Sequence, residues 1–446
     1  MSSALTSNGR TLEPNENTAL LSSDSQPEPH PHPHAHGHSD SKDDRPWVRW
    51  PSITFDLACS TLGRDYVNLL LVFVPLGIVA GALEWNSTAI FVLNFFAIIP
   101  LASLLSFATE ELAAVMGQAM GGLMNATFGN AVELIVSIIA LKDNQIRVVQ
   151  ASMLGSILSN ILLVLGCCFC VGGLRYSEQS FNSTVASTMS SLMAVASASL
   201  IIPATLYAAL SDSSAKEPAG NILFVSHGTA IILLIIYVMY LWFQLKSHSE
   251  LFEEQGDVQP GRREEEGQAG QSEAQPEEEH LLNPWAASVV LVAVTVVVAI
   301  CADYLVGSID SIVASTGMSK TFIGLVLIPI VGNAAEHVTA VVVAWKDKMD
   351  LAIGVAVGSS LQIALFVTPF LVILGWIIDV PMTLHFQIFE TVAFFISGLV
   401  VTLLIQDGKS NYLEGVMCLG MYIILALAFY VYPDDVGDNL GALGSA

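Results

Sequence analysis

The chain has 446 residues, of which 53% are apolar and only 13% charged, and its formal net charge is −24 at pH 7. Soluble proteins carry about 25% charged residues, so this composition excludes an ordinary soluble protein. Much of the negative charge lies in polar tails and a linker, so it does not indicate a nucleic-acid partner. Apolar runs of about 20 residues, the length of a membrane-spanning helix, recur along the chain. We therefore predict an all-α polytopic membrane protein.

The N-terminal region is polar. Residues 1–46 are rich in Ser, Pro, Asp and His, which favours a disordered tail, and residues 47–65 form a juxtamembrane segment. Because the tail has no apolar core of a signal peptide, insertion is expected to use the first spanning helix. Residues 16–21 match an acidic dileucine sorting signal, a pattern with many chance matches. The histidines of the tail either bind Zn²⁺ or Ni²⁺ loosely or are incidental: they are His30, His32, His34, His36 and His38.

Eleven apolar segments are predicted to span the membrane, beginning with a lone helix at 66–84. Five helices follow in a first repeat, residues 85–245, and five in a second repeat, residues 284–432. The acidic linker between them, residues 246–283, is either a solvated connector or a cation-collecting, regulatory segment, and it lacks the spacing of an EF-hand. Residues 433–446 form an acidic tail. The predicted spans of the repeats are 88–108, 115–141, 147–172, 184–208 and 221–245, then 284–306, 320–345, 350–377, 386–406 and 411–432.

Loop charge predicts the orientation, because Lys and Arg are in excess on the cytoplasmic side of membrane proteins. It favours a cytoplasmic N-terminus and acidic linker and a lumenal C-terminus. Since each repeat has an odd number of helices, the second is inverted relative to the first, which is typical of transporters. The predicted cytoplasmic flanks carry Lys42, Arg45, Arg49, Arg64, Arg175, Lys246, Arg262, Arg263, Lys346, Lys348 and Lys409, and the opposite loops carry Lys142, Arg147, Lys216 and Lys320.

One motif occurs once in each repeat. The stretches Gly129-Asn130-Ala131-Val132-Glu133 and Gly332-Asn333-Ala334-Ala335-Glu336 lie 203 residues apart, and the same offset relates Gly155-Ser156 to Gly358-Ser359. A carboxylate inside an apolar segment is costly and marks a functional site. The glycines weaken the helix, and the three-residue spacing puts each Asn and Glu on one helix face. We therefore predict that the two halves meet at a pair of carboxylates.

The groups near this pair are predicted to be oxygen donors. Carboxylates, amides and backbone carbonyls suit a hard cation such as Ca²⁺, and no His/Cys set accompanies them that would suit Zn²⁺ or Cu⁺. Two buried carboxylates cannot both remain charged when no cation is bound, so protons should compete with the metal. Further polar side chains either line the pathway or hold helices together: they are Ser156, Ser159, Asn160, Ser359 and Gln362.

Three other ionisable residues are candidates for a proton path. His337 follows Glu336 about 100° around the helix, so it either relays protons or packs against another neighbour. Glu110 and Glu111 are predicted at the cytoplasmic end of the second span. They are either functional or simply a polar helix end.

The paired motifs Gly129–Leu134 and Gly332–His337 closely resemble those of the vacuolar cation/proton exchangers, a family of the calcium:cation antiporter superfamily. The resemblance covers about residues 60–432. It implies Ca²⁺/H⁺ antiport from the cytosol into an acidic vacuole, with Mn²⁺ as a further candidate substrate and no cofactor. It also implies Ca²⁺ ligation by Glu133 and Glu336, a pathway lined by Ser156, Ser359 and Gln362, a proton path through Glu110 or Glu111, and a regulatory role for the linker.

Two rival functions remain open at the level of sequence. A Na⁺-driven Ca²⁺ exchanger of the same superfamily would need additional oxygen sites, which the sequence does not exclude. A Ca²⁺ channel is disfavoured, because two inverted halves in one chain are typical of exchange. An enzyme has little support, because the sequence contains neither a phosphate-binding loop nor a nucleophile constellation.

Overall fold

The computed structural model describes residues 66–211, 218–252 and 283–433. The N-terminal tail, the juxtamembrane segment, most of the acidic linker and nearly all of the acidic C-terminal tail lie outside these ranges, so the predictions about them are not addressed. The described residues are mostly helical.

The helices are numbered here in chain order. Those up to the linker are α1 (Val67–Ala82), α2 (Ser87–Met116), α3 (Gln118–Phe128), α4 (Ala131–Lys142), α5 (Ile146–Arg175), α6 (Ser183–Leu206) and α7 (Ile222–Ser247). Those after it are α8 (Pro284–Thr316), α9 (Lys320–Gly332), α10 (Ala334–Trp345), α11 (Met349–Ile377), α12 (Ile388–Leu404) and α13 (Tyr412–Val431).

Seven of these helices are individually long and apolar enough to cross a membrane. Within the described ranges the number rises to nine if each of two bent pairs is one span: α3 with α4 bends by 46°, and α9 with α10 by 59°. The shorter apolar helices α1 and α12 lie where the two remaining spans are predicted. The described part of the chain is thus mostly helical and contains seven to nine candidate membrane spans.

Three features depart from the predicted elements. The span from 284 was predicted to end at residue 306, but α8 continues to Thr316. The second span was predicted to end at residue 108, but α2 continues to Met116, where Gly117 leaves the helix with a φ of 79°. A two-residue antiparallel ladder also pairs β1 (Gln179–Ser180) with β2 (Lys409–Ser410), which the all-α prediction did not include. Its register is Gln179 opposite Ser410, so it joins the loop after α5 to the loop before α13.

The two bent pairs and the helices that follow them have matching boundaries. The shared 203-residue offset relates the starts of α4 and α10, their ends, a residue of positive φ in the next loop, and the starts of α5 and α11. A π-helical segment within α5 ends 203 residues before one within α11. The matching positions are Ala131 and Ala334, Lys142 and Trp345, Asn144 and Asp347, Ile146 and Met349, and Val164 and Val367.

Side-chain hydrogen bonds join loops between the helices into two groups. Gln179 donates to Asp347 (2.8 Å), which joins the loop after α5 to the loop after α10. This group lies on the same side as residues 248–252, at the start of the linker. We call this side the linker face. Gln145 donates to Asp310 (2.8 Å), which joins the loop after α4 to the end of α8 on the opposite face. The two groups lie at opposite ends of α5, and α9 starts beside the second group, where Lys320 donates to Gln145 (2.8 Å).

Candidate functional site

Both repeated motifs lie at breaks between helices. The backbone of Asn130 (φ −98°, ψ 25°) and that of Asn333 (φ −88°, ψ 6°) are not helical. Because α4 and α10 each begin one residue later, Glu133 and Glu336 lie in the first turns of these helices. The unpaired N–H groups of a helix start carry partial positive charge, which favours an anionic side chain there. The breaks thus make a carboxylate less costly inside the membrane.

The glycine of each motif lies beside the carboxylate of the other. A methyl group added to Gly332 would lie 2.6 Å from Oε1 of Glu133, and one added to Gly129 would lie 3.8 Å from Oε1 of Glu336. Each carboxylate therefore lies next to the helix break of the other motif. The structure therefore brings together the two halves at the predicted residues, and the absent glycine side chains make room for the carboxylates.

A polar network joins the first helix break to α5 and α11. Asn130 donates from Nδ2 to Oε1 of Gln362 (2.6 Å) and accepts at Oδ1 from the Ser359 hydroxyl (3.0 Å). Asn160 donates to the same Ser359 oxygen (3.1 Å). These four predicted residues hold one another, so the side chains around the first break are fixed by α5 and α11.

Several buried oxygens beside this network have no hydrogen-bond partner within the described structure. They are Oε1 of Glu133, Oε2 of Glu336, Oδ1 of Asn160 and Oδ1 of Asn333, and the Asn333 amide nitrogen is also unpaired. Buried polar atoms are rarely left unpaired, and a hard cation takes oxygen ligands of this kind. The described residues contain no group of three or more His, Cys, Asp or Glu side chains that could hold a metal. The oxygens available to a cation here therefore come from two carboxylates and from neutral side chains.

A cavity of about 460 Å³ leads from the linker face to this site. Glu336 lines its inner end and Glu110 lines its wall, where Ser106 donates to Glu110 (3.3 Å). Glu111, which is only partly buried, does not line this cavity. The other residues that line this cavity include Thr109, Asn125, Gly129, Gln244, Thr339, Gly358, Ser359 and Gln362.

The approach from the opposite face is closed. Glu133 and Gly332 line a void of only about 10 Å³, together with apolar residues that include Phe95, Ile98 and Leu305. A void must hold roughly 10–15 Å³ of such space before one water molecule fits. Among the described residues, the larger cavity therefore opens the site toward the linker face, and the void beside Glu133 is too small to admit an ion with its water.

Some predicted residues lie apart from the carboxylate pair. His337 directs Nε2 to the Ser159 hydroxyl (3.2 Å), so its partner is α5, and this engages Ser159 as well. Ser156 is buried in α5, one turn before Asn160. The sequence predicted that His337 faces a different neighbour from Glu336, and the contact of His337 with Ser159 agrees with this.

The structure also contains polar groups that the sequence prediction missed. Thr109 and Thr339 line the cavity, and their spacing from Ser106 and Glu336, three residues in each case, could have indicated a shared helix face. Arg147 was counted only as loop charge. It forms an ion pair with the fully buried Glu390 (2.6 Å), whose position inside an apolar run was the available signal.

Comparison with known proteins identifies the family. Residues 86–246 and 286–431 match the family described as sodium/calcium exchanger protein. The chain belongs to this family. The chain is therefore a transporter rather than an enzyme, as the sequence predicted.

The individual relatives are named as calcium transporters and exchangers. The vacuolar calcium ion transporter of Schizosaccharomyces pombe is 52% identical over 84% of this chain and 87% of its own length. The Ca(2+)/H(+) antiporter of Aphanothece halophytica is 46% identical over 82% and 96%. Vacuolar cation/proton exchanger 5 of Arabidopsis thaliana is 43% identical over 84% and 83%. The resemblance predicted from the paired motifs is confirmed.

Two solved structures share the fold. Native YfkE is 36% identical, with a TM-score of 0.67 over 82% of this chain and all of that chain. The H+/Ca2+ exchanger CAX is 11% identical, with a TM-score of 0.58 over 85% of this chain and 92% of its own, and this likeness concerns the fold alone.

Proposed function

We propose that this protein is a Ca²⁺/H⁺ antiporter that moves cytosolic Ca²⁺ into an acidic vacuole, with Mn²⁺ as a further candidate substrate. The observation that carries the proposal is the pair of carboxylates in apolar helices, the buried Glu133 and the cavity-lining Glu336, each lying beside the other motif's glycine. Relatives named as vacuolar transporters and as Ca(2+)/H(+) antiporters support both the ions and the compartment.

Charge balance explains why such a site would exchange its ions. Two protons neutralise the two carboxylates, and so does one Ca²⁺. A loaded site is therefore formally neutral in either case. The empty site would carry two negative charges in a medium of low dielectric constant, which is costly. A conformational change that carries the site from one face to the other is favoured only when the site is loaded, and this couples Ca²⁺ movement to proton movement.

The membrane topology that we propose has eleven spans: α1 alone, followed by two inverted five-helix repeats. The matching 203-residue boundaries of α4–α5 and α10–α11 support repeats. The start of α9 on the face opposite the linker face supports inversion. The positive-inside rule puts the linker face in the cytosol. The open cavity would then receive cytosolic Ca²⁺, with the C-terminus in the lumen.

The roles of individual residues follow from their positions. Glu133 and Glu336 would bind either Ca²⁺ or protons, and the unpaired amide oxygens of Asn333 and Asn160 would add ligands. Glu110, on the cavity wall, is the stronger candidate for the proton path. Glu111 and His337 lie away from this cavity and are weaker candidates.

Reconstituted protein tests the proposal. Proteoliposomes with an acidic lumen and ⁴⁵Ca²⁺ outside should accumulate Ca²⁺ against its concentration gradient, and Glu133→Gln and Glu336→Gln should abolish this uptake. Glu178→Gln is the matched control, because Glu178 is a half-exposed carboxylate that pairs with Lys409 on the linker face. Unchanged pH-driven uptake in both site variants would contradict the proposed roles of the carboxylates.

The family description names sodium, so a Na⁺-driven exchanger is the second candidate. The same vesicles distinguish the two functions. Uptake that a pH gradient drives in Na⁺-free medium supports proton exchange, whereas uptake that needs an outward Na⁺ gradient supports sodium exchange. A channel would only equalise the Ca²⁺ concentrations.

A further inference from the structure

On the closed, opposite face, α9 packs directly on α5 through small residues. A methyl group added to Gly155 would collide with the backbone of Leu325. One added to Gly324 would lie 2.8 Å from the Ala151 side chain and 3.1 Å from the carbonyl oxygen of Val148. Small residues allow two helix backbones to approach closely. The backbones of α9 and α5 are therefore in direct contact on this face.

The matching positions on the linker face also carry small residues, but there the residues of α3 and α11 at these positions are not in contact with each other. The 203-residue offset relates Gly155 to Gly358, Ala151 to Gly354, and Leu325 to Gly122. Gly354 and Gly358 line the cavity from α11, and Gly122 lines it from α3. A methyl group on Gly358 would meet no other atom within 4 Å. The α11 surface that corresponds to the occupied α5 surface is thus bare in this conformation.

We propose that α3 closes the linker face by packing its backbone at Gly122 on the Gly354/Gly358 surface of α11. The contact would mirror the packing of α9 on α5, and it would shut the cavity between Glu110 and Glu336. This inference rests on the proposed exchange mechanism, because only a protein that alternates between the two faces needs the second contact.

The present contacts of α3 are compatible with such a movement. Gly121 packs on the backbone of Ala113 at the end of α2, and Gly122 packs on the tip of the Leu245 side chain. A flexible side-chain tip is easily displaced. Gly117, between α2 and α3, has a φ of 79°, so the chain turns sharply where α3 would pivot. Neither of these two contacts involves the carboxylate-bearing helix α4.

Added bulk at Gly358 tests the proposal in the full chain. The first added carbon at Gly358 meets no atom within 4 Å in this open conformation, but the side chain of Gly358→Leu would hold α3 away from α11. Its pH-driven ⁴⁵Ca²⁺ uptake should fall at least about tenfold, because overpacking of typical size shifts the equilibrium between the open and closed conformations by about this factor. Its ⁴⁵Ca²⁺ binding in detergent should remain. Gly228→Leu is the control, because Gly228 also has no atom within 4 Å of an added methyl group but lies exposed on α7.

The outcomes separate this inference from the proposed function. Absence of pH-driven uptake by the unmodified protein would contradict the proposed function itself. Normal uptake by Gly358→Leu would overturn only the closing contact. Loss of both binding and uptake in this variant would assign Gly358 to the access route instead, and it would also overturn the inference.

Discussion

The buried ion pair between Arg147 and Glu390 gives the most quantitative prediction. The guanidinium donates to both carboxylate oxygens, at 2.6 and 3.3 Å, and to the Thr321 hydroxyl at 2.8 Å. It thereby joins α5 to α12 and to the start of α9. The Glu390 side chain is fully buried, whereas that of Arg147 is 29% exposed. We expect the two single replacements to differ in their cost because they leave different charges behind.

The expected cost follows from the solvation of the remaining charge. Arg147→Gln leaves a fully buried carboxylate without its counter-ion, and breaking a buried pair in this way costs about 3–5 kcal/mol. Glu390→Gln leaves a cation that reaches solvent and keeps its bond to Thr321. A lost charge-assisted hydrogen bond is worth about 1.5–3 kcal/mol, and solvent screening reduces this to about 1–2 kcal/mol. The double variant should be more stable than Arg147→Gln alone, because it contains no buried charge.

Unfolding of the purified protein in detergent measures these differences. The midpoint should be lowest for Arg147→Gln, intermediate for Glu390→Gln, and barely shifted for Glu178→Gln, since the exposed pair of Glu178 with Lys409 is worth about 0–1 kcal/mol. If Arg147→Gln and Glu390→Gln were equally destabilised, or if their effects simply added in the double variant, the argument from burial would be wrong.

Two further predictions concern the site. Gly332→Ala should weaken Ca²⁺ binding about tenfold or more, because its methyl group would lie 2.6 Å from Oε1 of Glu133 and overpacking has a cost of this size. Gly307→Ala is the control and should bind Ca²⁺ normally, because its methyl group meets nothing within 4 Å. Equal Ca²⁺ affinities of the two variants would refute the steric argument. Glu110→Gln should slow pH-driven uptake more than Glu111→Gln, because only Glu110 lines the cavity. Initial rates in proteoliposomes measure this, and the reverse order would remove Glu110 from the proton path.

Local properties of the sequence were enough to predict the class of protein and the helices. The bilayer sets the length of an apolar segment, so spans such as 147–172 and 284–306 were predicted near the observed α5 and the first part of α8. The breaks at Gly129-Asn130 and Gly332-Asn333 were predictable because glycine weakens a helix and a carboxylate is costly in an apolar run. The end of α2 was misplaced, because the helix continues beyond the apolar segment until Gly117.

Tertiary structure alone decided how these parts meet. The pairing of Glu133 with Gly332, the ion pair of Arg147 with Glu390 and the network from Asn130 to Gln362 each join residues that are far apart in sequence. The repeat predicts two equivalent carboxylates, but the sequence holds no signal for which face is open. In this conformation α9 is packed on α5 while α3 stands away from α11, and among the described residues the large cavity is lined by Glu336 and not by Glu133. That asymmetry arises from alternative packing of the same helices, which local sequence does not specify.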